Sequence, residues 1–418
     1  KQMGLSMVRT YYGSEYAWDA SKQTFDYNSY DMKGIYRWLK ELEEDGIDVG
    51  INAGWNWKVY LQGDTWPVSP GIYVKGDREK SIKNYTKWII DSLNAMKANG
   101  CNNVKWLFMF TEPNLQGWYN KTDLTMEEVL DPNKKNVITE YEEENMGYYD
   151  YITEYNNWFS LTSALDSDMK KAGIRNDYQL VGPNTHGSLK TADGYYTPPM
   201  FYKAVTEAQD QIDIYSSHFY MQIGDIYDNG VDDCAKTYWG NFLELSRKYS
   251  DKPFWVDETN IRLLDKNSDS YQKLWDNSWG ALRIAEFVTS GMNLGVNNMI
   301  LWSIADQQWP NAVTYSSDHF VNGVQTTGVI PSAFYTSKPK LSYYGVSLLT
   351  KYLGHAKTYE AESMFLYASA QEDQNGDYSI LVVSTELDET EITVKFEKDI
   401  AGKKVYRHLY STASQKTD

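Results

Sequence analysis

Seven short apolar runs punctuate the first three-quarters of the chain, with stretches between them whose apolar positions return every three or four residues. The runs are MVRTYYG (7–13), IDVGINAGW (47–55), VKWLFMFTEPN (104–114), YQLVGPNTH (178–186), IDIYSSHFY (212–220), KPFWVDETN (252–260) and NNMILWSIA (297–305). Short runs rich in β-branched and aromatic residues, bounded by turn formers, read as strands. Between them MKGIYRWLKELEEDG, SIKNYTKWIIDSLNAMKANG, YNNWFSLTSALDSDMKKAG and SWGALRIAEFVTSGMNLG read as amphipathic helices. Each closes on glycine, the residue that most easily takes the left-handed turn after a helix. Strand alternating with helix predicts a parallel α/β fold, and this many units predicts a TIM-type (β/α)8 barrel. Such a barrel has eight strands. The opening KQMGLS reads as the tail of a helix leading into the second strand, so the first strand and helix are expected to be missing from the numbered sequence; an open sheet of seven would leave two edges. LSYYGVSLLTKYLG (341–354) reads as the last barrel helix.

From Thr358 the period changes to two. TYEAES, FLYASAQED, DYSILVVSTE, TEITVKFE and KKVYRHLYS are separated by turns holding Asn-Gly, Asp and Gly, the pattern of antiparallel strands. The expected organisation is a barrel over residues 1–355 and a small, incomplete β-sandwich over 356–418. One long insertion, 115–151, follows the third run; it is acidic and aromatic, and lies where barrel loops shape a substrate site.

Composition narrows the partners. The 418 residues carry a net charge of −17, which argues against nucleic acid or an anionic membrane surface. No apolar run is long enough to insert in a membrane. Cys101 and Cys234 have neither metal-site nor disulfide-framework spacing, and five scattered histidines suggest no metal cluster. No cofactor motif stands out. Aromatic residues make up 15% of the chain; Tyr and Trp offer apolar faces with polar tips, which suit the C–H faces of sugars. The opening residues have no signal-peptide pattern. With such a segment removed upstream, the protein is expected to be extracellular or secreted; the alternative is cytoplasmic.

Two glutamates stand at the exits of apolar runs, Glu112 in FTEPN and Glu258 in WVDETN. The C-terminal rim of a parallel barrel is where active sites sit, and two facing carboxyl groups are the apparatus of glycoside hydrolysis. Two-residue periodicity puts Phe108, Phe110 and Glu112 on one face, so Glu112 is expected to be partly desolvated, with a raised pKa suited to a general acid. Glu258 is the expected nucleophile and Asp257 the alternative. A nucleophile must stay ionised, and Arg9, His218 and Tyr220 are the candidate donors around it.

These motifs resemble the retaining glycosidases of glycoside hydrolase clan A, particularly the barrel-plus-sandwich branch of families 30, 39 and 51. The resemblance runs over nearly the whole chain, strongest at FTEPN, WVDETN and SKPKLSYYGVSLLTKYLG. It implies Glu112 as acid/base on the fourth strand and Glu258 as nucleophile on the seventh. It also implies His218 and Tyr220 as partners of the nucleophile, Arg9 as its orienting arginine, and Trp302 as the floor under the sugar. One position departs from the clan: the residue before the acid/base is usually Asn, which binds the sugar 2-hydroxyl, and here it is Thr111. Either Asn114 or Asn184 covers that hydroxyl, or the requirement at C2 is altered. Asn52, Trp55 and His186 end neighbouring strands and are expected either to touch sugar or to support the rim. Asp213 is expected to be structural.

The resulting expectation is a retaining O-glycoside hydrolase acting on a glycan by double displacement, with the carboxyl groups about 5–5.5 Å apart. The alternatives are a non-catalytic carbohydrate-binding barrel and a transglycosidase using the same intermediate. An open groove lined by Trp55, Trp118 and Trp309 would mark endo action.

Overall fold

The computed structural model describes residues 3–64, 69–114, 119–134, 137–141, 145–222, 229–262, 278–304, 307–308, 320–321, 324–325, 339–353, 357–360, 366–373, 375–384, 391–396 and 401–411. Seven parallel strands form one sheet in chain order: β1 (Met7–Tyr12), β2 (Asp48–Ala53), β3 (Val104–Phe108), β4 (Gln179–Thr185), β5 (Ile214–Gln222), β6 (Phe254–Arg262) and β7 (Asn298–Leu301). Helices α1 (Tyr30–Glu44), α2 (Arg78–Ala98), α3 (Tyr151–Lys171), α4 (Pro199–Glu207), α5 (Asn241–Tyr249), α6 (Ser278–Leu294) and α7 (Leu341–Tyr352) follow the strands one by one. The sheet curls into a nearly closed barrel, and Asn298 Nδ2 at the foot of β7 lies 3.4 Å from Met7 Sδ at the foot of β1.

Alternation along the strands builds two cores. Phe108, Val181, Ile214 and Trp255, with Met7, Trp106 and Ile300 against them, fill the barrel interior. The opposite faces meet the helices in the larger core. Helix α1 shows the pattern: Met32, Tyr36 and Leu39 are buried, one stripe at a spacing of three and four. Ser29 Oγ accepts from Met32 N at its start, a cap worth about 1 kcal/mol. At its end Gly46 has φ 76, and Ile47 N donates back to Leu42 O at 2.9 Å. The glycines closing the other three predicted helices, Gly100, Gly173 and Gly295, also have positive φ.

Beyond α7, strands β8 (Lys357–Glu360), β9 (Tyr367–Glu372) and β10 (Tyr378–Val383) form an antiparallel sheet, the body of the small β-domain expected there. It rests on α6, where Asn293 Nδ2 donates to Ala368 O at 2.9 Å. Residues 391–396 and 403–411, where two more strands were expected, carry no ladder among the described residues. Cys101 and Cys234 are both buried. Asp213 is structural, as expected: its carboxylate takes Arg175 Nη2 at 2.8 Å and the backbone N–H of Leu180 at 2.7 Å.

One buried acid has consequences for stability. Glu154, in the first turn of α3, is 4% exposed, and neither carboxyl oxygen has a hydrogen-bond partner among the described residues. Burial pushes its pKa up to about 7, against the pull of Lys58 and with a smaller push from Asp150. The folded chain thus holds a proton that the unfolded chain releases nearer pH 4.5. Stability is full below that pH and falls as pH rises through 7, by roughly 3 to 4 kcal/mol. Glu154→Gln should therefore stabilise the protein at pH 8 and lose that advantage by pH 4. Denaturation midpoints of both proteins across this range check it; a difference constant with pH would refute the assignment.

Candidate active site

β1 sends Met7, Arg9 and Tyr11 inward, one above another. Met7 joins the interior core, and the Arg9 guanidinium lies 4.7 Å from the centre of the Phe108 ring. That cation over an aromatic floor organises the rim. Arg9 Nε donates to Asn52 Oδ1 at 2.8 Å, Nη1 to the Asp257 carbonyl at 2.6 Å and Nη2 to Thr111 Oγ1 at 3.4 Å. Nη1 also stands 3.5 Å from both Glu258 Oε2 and Asp257 Oδ2.

Irregular backbone at the C-terminal ends of the strands aims the remaining groups. Between β5 and β6 the register shifts after Ser217, so His218 pairs with Glu258 and Asp257 is the extra residue. Between β4 and β5 Asn184 is skipped in the same way. Bulges of this kind re-aim side chains beside active sites. Here they leave Asp257 fully buried behind Arg9 and His218, as a counter-ion, and turn Glu258 toward the barrel mouth. Asp257 is therefore not placed as a nucleophile.

Glu112 reaches the same point by a different route from the one its period suggests. β3 ends at Phe108; Phe110 N then turns back onto Phe108 O at 2.9 Å, and both Phe110 (φ 73) and Glu112 (φ 44) are left-handed. The period-two argument for Glu112 does not hold, although its position at the rim does. Its carboxyl and that of Glu258 each have an oxygen within 4.8 Å of the other and of a His218 ring nitrogen.

Donors differ around the two acids. Tyr220 Oη donates to Glu258 Oε1, and Tyr11 Oη lies 3.4 Å from Oε2. Two imidazoles converge on Glu112 Oε1: His218 Nδ1 at 3.1 Å and His186 Nδ1 at 3.2 Å. Burial raises the Glu112 pKa, but the charge and hydrogen bonds of these histidines outweigh it and hold the carboxyl well below the usual range. This corrects the expected raised pKa. The period of β3 shows apolar neighbours; the histidines come from β5 and the end of β4. Burial alone would lower the His218 pKa; the charges of Glu258 and Asp257, with hydrogen bonds to Asp257 and Glu112, push it up to about 10. Arg9 Nη1 also lies 3.2 Å from His218 Nε2, and Asp257 Oδ2 stands 3.5 and 3.7 Å from these two nitrogens. The carboxylates thus favour a proton on His218, whose Nδ1 faces Glu112 Oε1 at 3.1 Å.

Glu112, His218 and Glu258 could be read as metal ligands by their proximity. Arg9 and protonated His218 already supply the positive charge between the carboxylates, and a ring nitrogen facing Glu112 as a donor offers no lone pair to an ion.

The other predicted residues divide in two. Trp55 stacks on Tyr11 with centroids 4.1 Å apart, and Trp302 meets Tyr11 edge-on at 5.7 Å, an aromatic wall beside the acids. Asn52 is fully buried and donates to Thr111 Oγ1, so it supports the rim. Asn114 and Asn184 are 2% and 0% exposed. Asn114 donates to His186 O at 2.8 Å and accepts from His186 N at 2.9 Å. Asn184 donates to Phe110 O and accepts from Ser216 Oγ. Both amides are engaged within the protein. Trp118 and Trp309 lie outside the described residues. Tyr11 and the placement of His186 on Glu112 were not anticipated. Tyr11 shares the inward face of Arg9 two residues earlier, a signal legible in the period.

No protein-family model matches the chain, and no curated protein matches it. Among solved structures it is similar in fold to a family 1 β-glucosidase from Thermotoga maritima, at 12% identity over 84% of each chain with a TM-score of 0.48. It is also similar to a family 51 α-L-arabinofuranosidase from Bifidobacterium longum, at 11% identity over 92% of this chain and 74% of that one, TM-score 0.47. A third is an endo-1,4-β-xylanase from Penicillium canescens, at 11% identity over 83% and 86%, TM-score 0.45. At these identities the likeness is one of fold.

Proposed function

We propose that the protein is a retaining O-glycoside hydrolase acting on a glycan or oligosaccharide. The observation that carries this reading is the pair of rim carboxyl groups with oxygens within 4.8 Å of each other. Retaining enzymes hold their carboxyl groups about 5–5.5 Å apart, whereas inversion needs roughly 6.5–9.5 Å to seat a water. The donor pattern supports a division of roles. Glu258, whose side chain is 9% exposed, faces the donors of Tyr220, Tyr11 and Arg9, which orient it for attack. Glu112, 20% exposed, faces the protonated His218.

Glu258 attacks the anomeric carbon as the bond to the leaving oxygen breaks, and Glu112 delivers a proton to that oxygen. Transfer of the His218 Nδ1 proton across the 3.1 Å N···O contact to Glu112 Oε1 changes no net charge, so a carboxyl that is ionised in the free protein still acts as an acid. In the second half Glu112 takes a proton from the water that attacks the anomeric carbon, the bond to Glu258 breaks and frees the sugar with retained configuration, and the proton returns to His218. Tyr11, Trp55 and Trp302 offer the sugar apolar faces. A panel of aryl α- and β-glycosides, with the anomer of the first-formed sugar followed by NMR, tests the reading. Turnover with retention is expected; inversion would overturn it.

Specificity at C2 follows from the engaged amides. Hydrogen bonds to the 2-hydroxyl ordinarily contribute several kcal/mol at the transition state. Here Thr111 offers only a hydroxyl, already accepting from Asn52 and near Arg9, and Asn114 and Asn184 are turned into the protein. The 2-deoxy analogue of the best aryl glycoside should lose less than about tenfold in kcat/KM, about 1.4 kcal/mol. A loss of roughly a hundredfold or more would show that another group binds that hydroxyl.

A further inference from the structure

The loops that follow β3 and β4 are laced together by reciprocal contacts. Glu112 N donates to Asn184 O at 3.1 Å, and the Asn184 side chain returns a bond to Phe110 O. The Asn114 side chain clamps the His186 backbone on both its N–H and its carbonyl, while the His186 ring, 3% exposed as a residue, reaches Glu112. Just beyond His186, Ser188–Lys190 pairs in parallel with Tyr119–Lys121 of the long insertion. Thr122 N continues onto Lys190 O at 2.9 Å. The insertion, which carries the described hairpin Val137–Tyr141 and Asn145–Tyr149, is therefore anchored on the same short segment that carries His186.

We infer that His186 is a positioning residue for Glu112, fixing its carboxyl against His218 and linking it to the docked insertion. The inference rests on the glycosidase reading and adds to it a group that acts through Glu112. Arg9 and Asp257 hold His218 from beneath, and His186 is the second imidazole on Glu112 Oε1. With His186 removed, the carboxyl is free to swing from the leaving oxygen, and the carboxylate loses one of its two imidazole partners.

The test uses His186→Gln and His186→Ala in the full chain. With an aryl glycoside whose leaving group needs protonation, His186→Ala should lose roughly tenfold to a hundredfold in kcat/KM, the scale of a misplaced catalytic group. With a dinitrophenyl glycoside of the same sugar, which leaves unprotonated, the loss should be several times smaller. Removing a partner of the carboxylate makes it easier to protonate, so the alkaline limb of the pH profile should move upward. His186→Gln keeps a hydrogen-bond donor and should recover part of the rate but not the limb. Equal losses with both leaving groups and an unmoved limb would overturn the inference, as would no loss at all. If wild type turns over no glycoside, the glycosidase reading falls. The inference then stands or falls on 13C NMR titration of the Glu112 carboxyl, whose midpoint should rise in His186→Gln. An unchanged midpoint would overturn it independently.

Discussion

Glu258→Gln should lower kcat/KM by roughly 10^4 to 10^6, the scale of removing one member of a unit that acts together, while leaving the fold and sugar affinity nearly unchanged. Glutamine keeps the shape and an oxygen to accept from Tyr220 or Tyr11. What it loses is the charge that Arg9 faces at 3.5 Å and, with it, the nucleophile. Wild type and variant are compared against aryl α- and β-glycosides and against plant and host polysaccharides, with binding followed alongside turnover. A variant within tenfold of wild type would remove Glu258 from the nucleophile's role. Sugar binding without turnover in either protein, and equal in both, would instead make this a carbohydrate-binding barrel.

Much of the barrel that presents Glu258 is legible in the sequence, because strand period and helix period are read locally. The run 178–186 becomes Gln179–Thr185, and 7–13 becomes Met7–Tyr12. Rim positions follow from run exits, so Trp55, Tyr220 and Trp302 gather near the acids as their places imply, while Arg9 and His218 reach them from within their strands. What the sequence hides is set by backbone departures from the regular strand. A register shift after Ser217 decides that His218 faces Glu258 while Asp257 is buried, and no local pattern announces it. The left-handed residues Phe110, Glu112 and Asn184 turn the two loops so that Asn114 and Asn184 face backbone and His186 faces Glu112. The electrostatics are hidden for the same reason. Apolar neighbours on β3 predict a raised pKa for Glu112, and two imidazoles from other strands reverse it.

That reversal shapes the second large effect. Glu112→Ala should cost roughly 10^2 to 10^4 in kcat/KM, the range for a general acid, on glycosides whose leaving group must be protonated. On dinitrophenyl glycosides the first step should be nearly intact, and the second, deprived of its base, should become slow. Glycosyl-enzyme should then accumulate, raising the protein mass by one sugar on Glu258. Azide, a nucleophile that needs no base, should restore turnover and give the glycosyl azide of retained configuration. In wild type the alkaline limb of kcat/KM reports loss of the proton that Glu112 and His218 hold between them. Because the carboxylates around His218 raise its pKa to about 10, that limb should lie well above neutrality, and it should vanish in Glu112→Ala. A wild-type limb at about pH 5, close to an ordinary glutamic acid, would show that Glu112 carries its own proton and that His218 supplies none. Loss of activity on both classes of leaving group without azide rescue would remove Glu112 from the acid/base role.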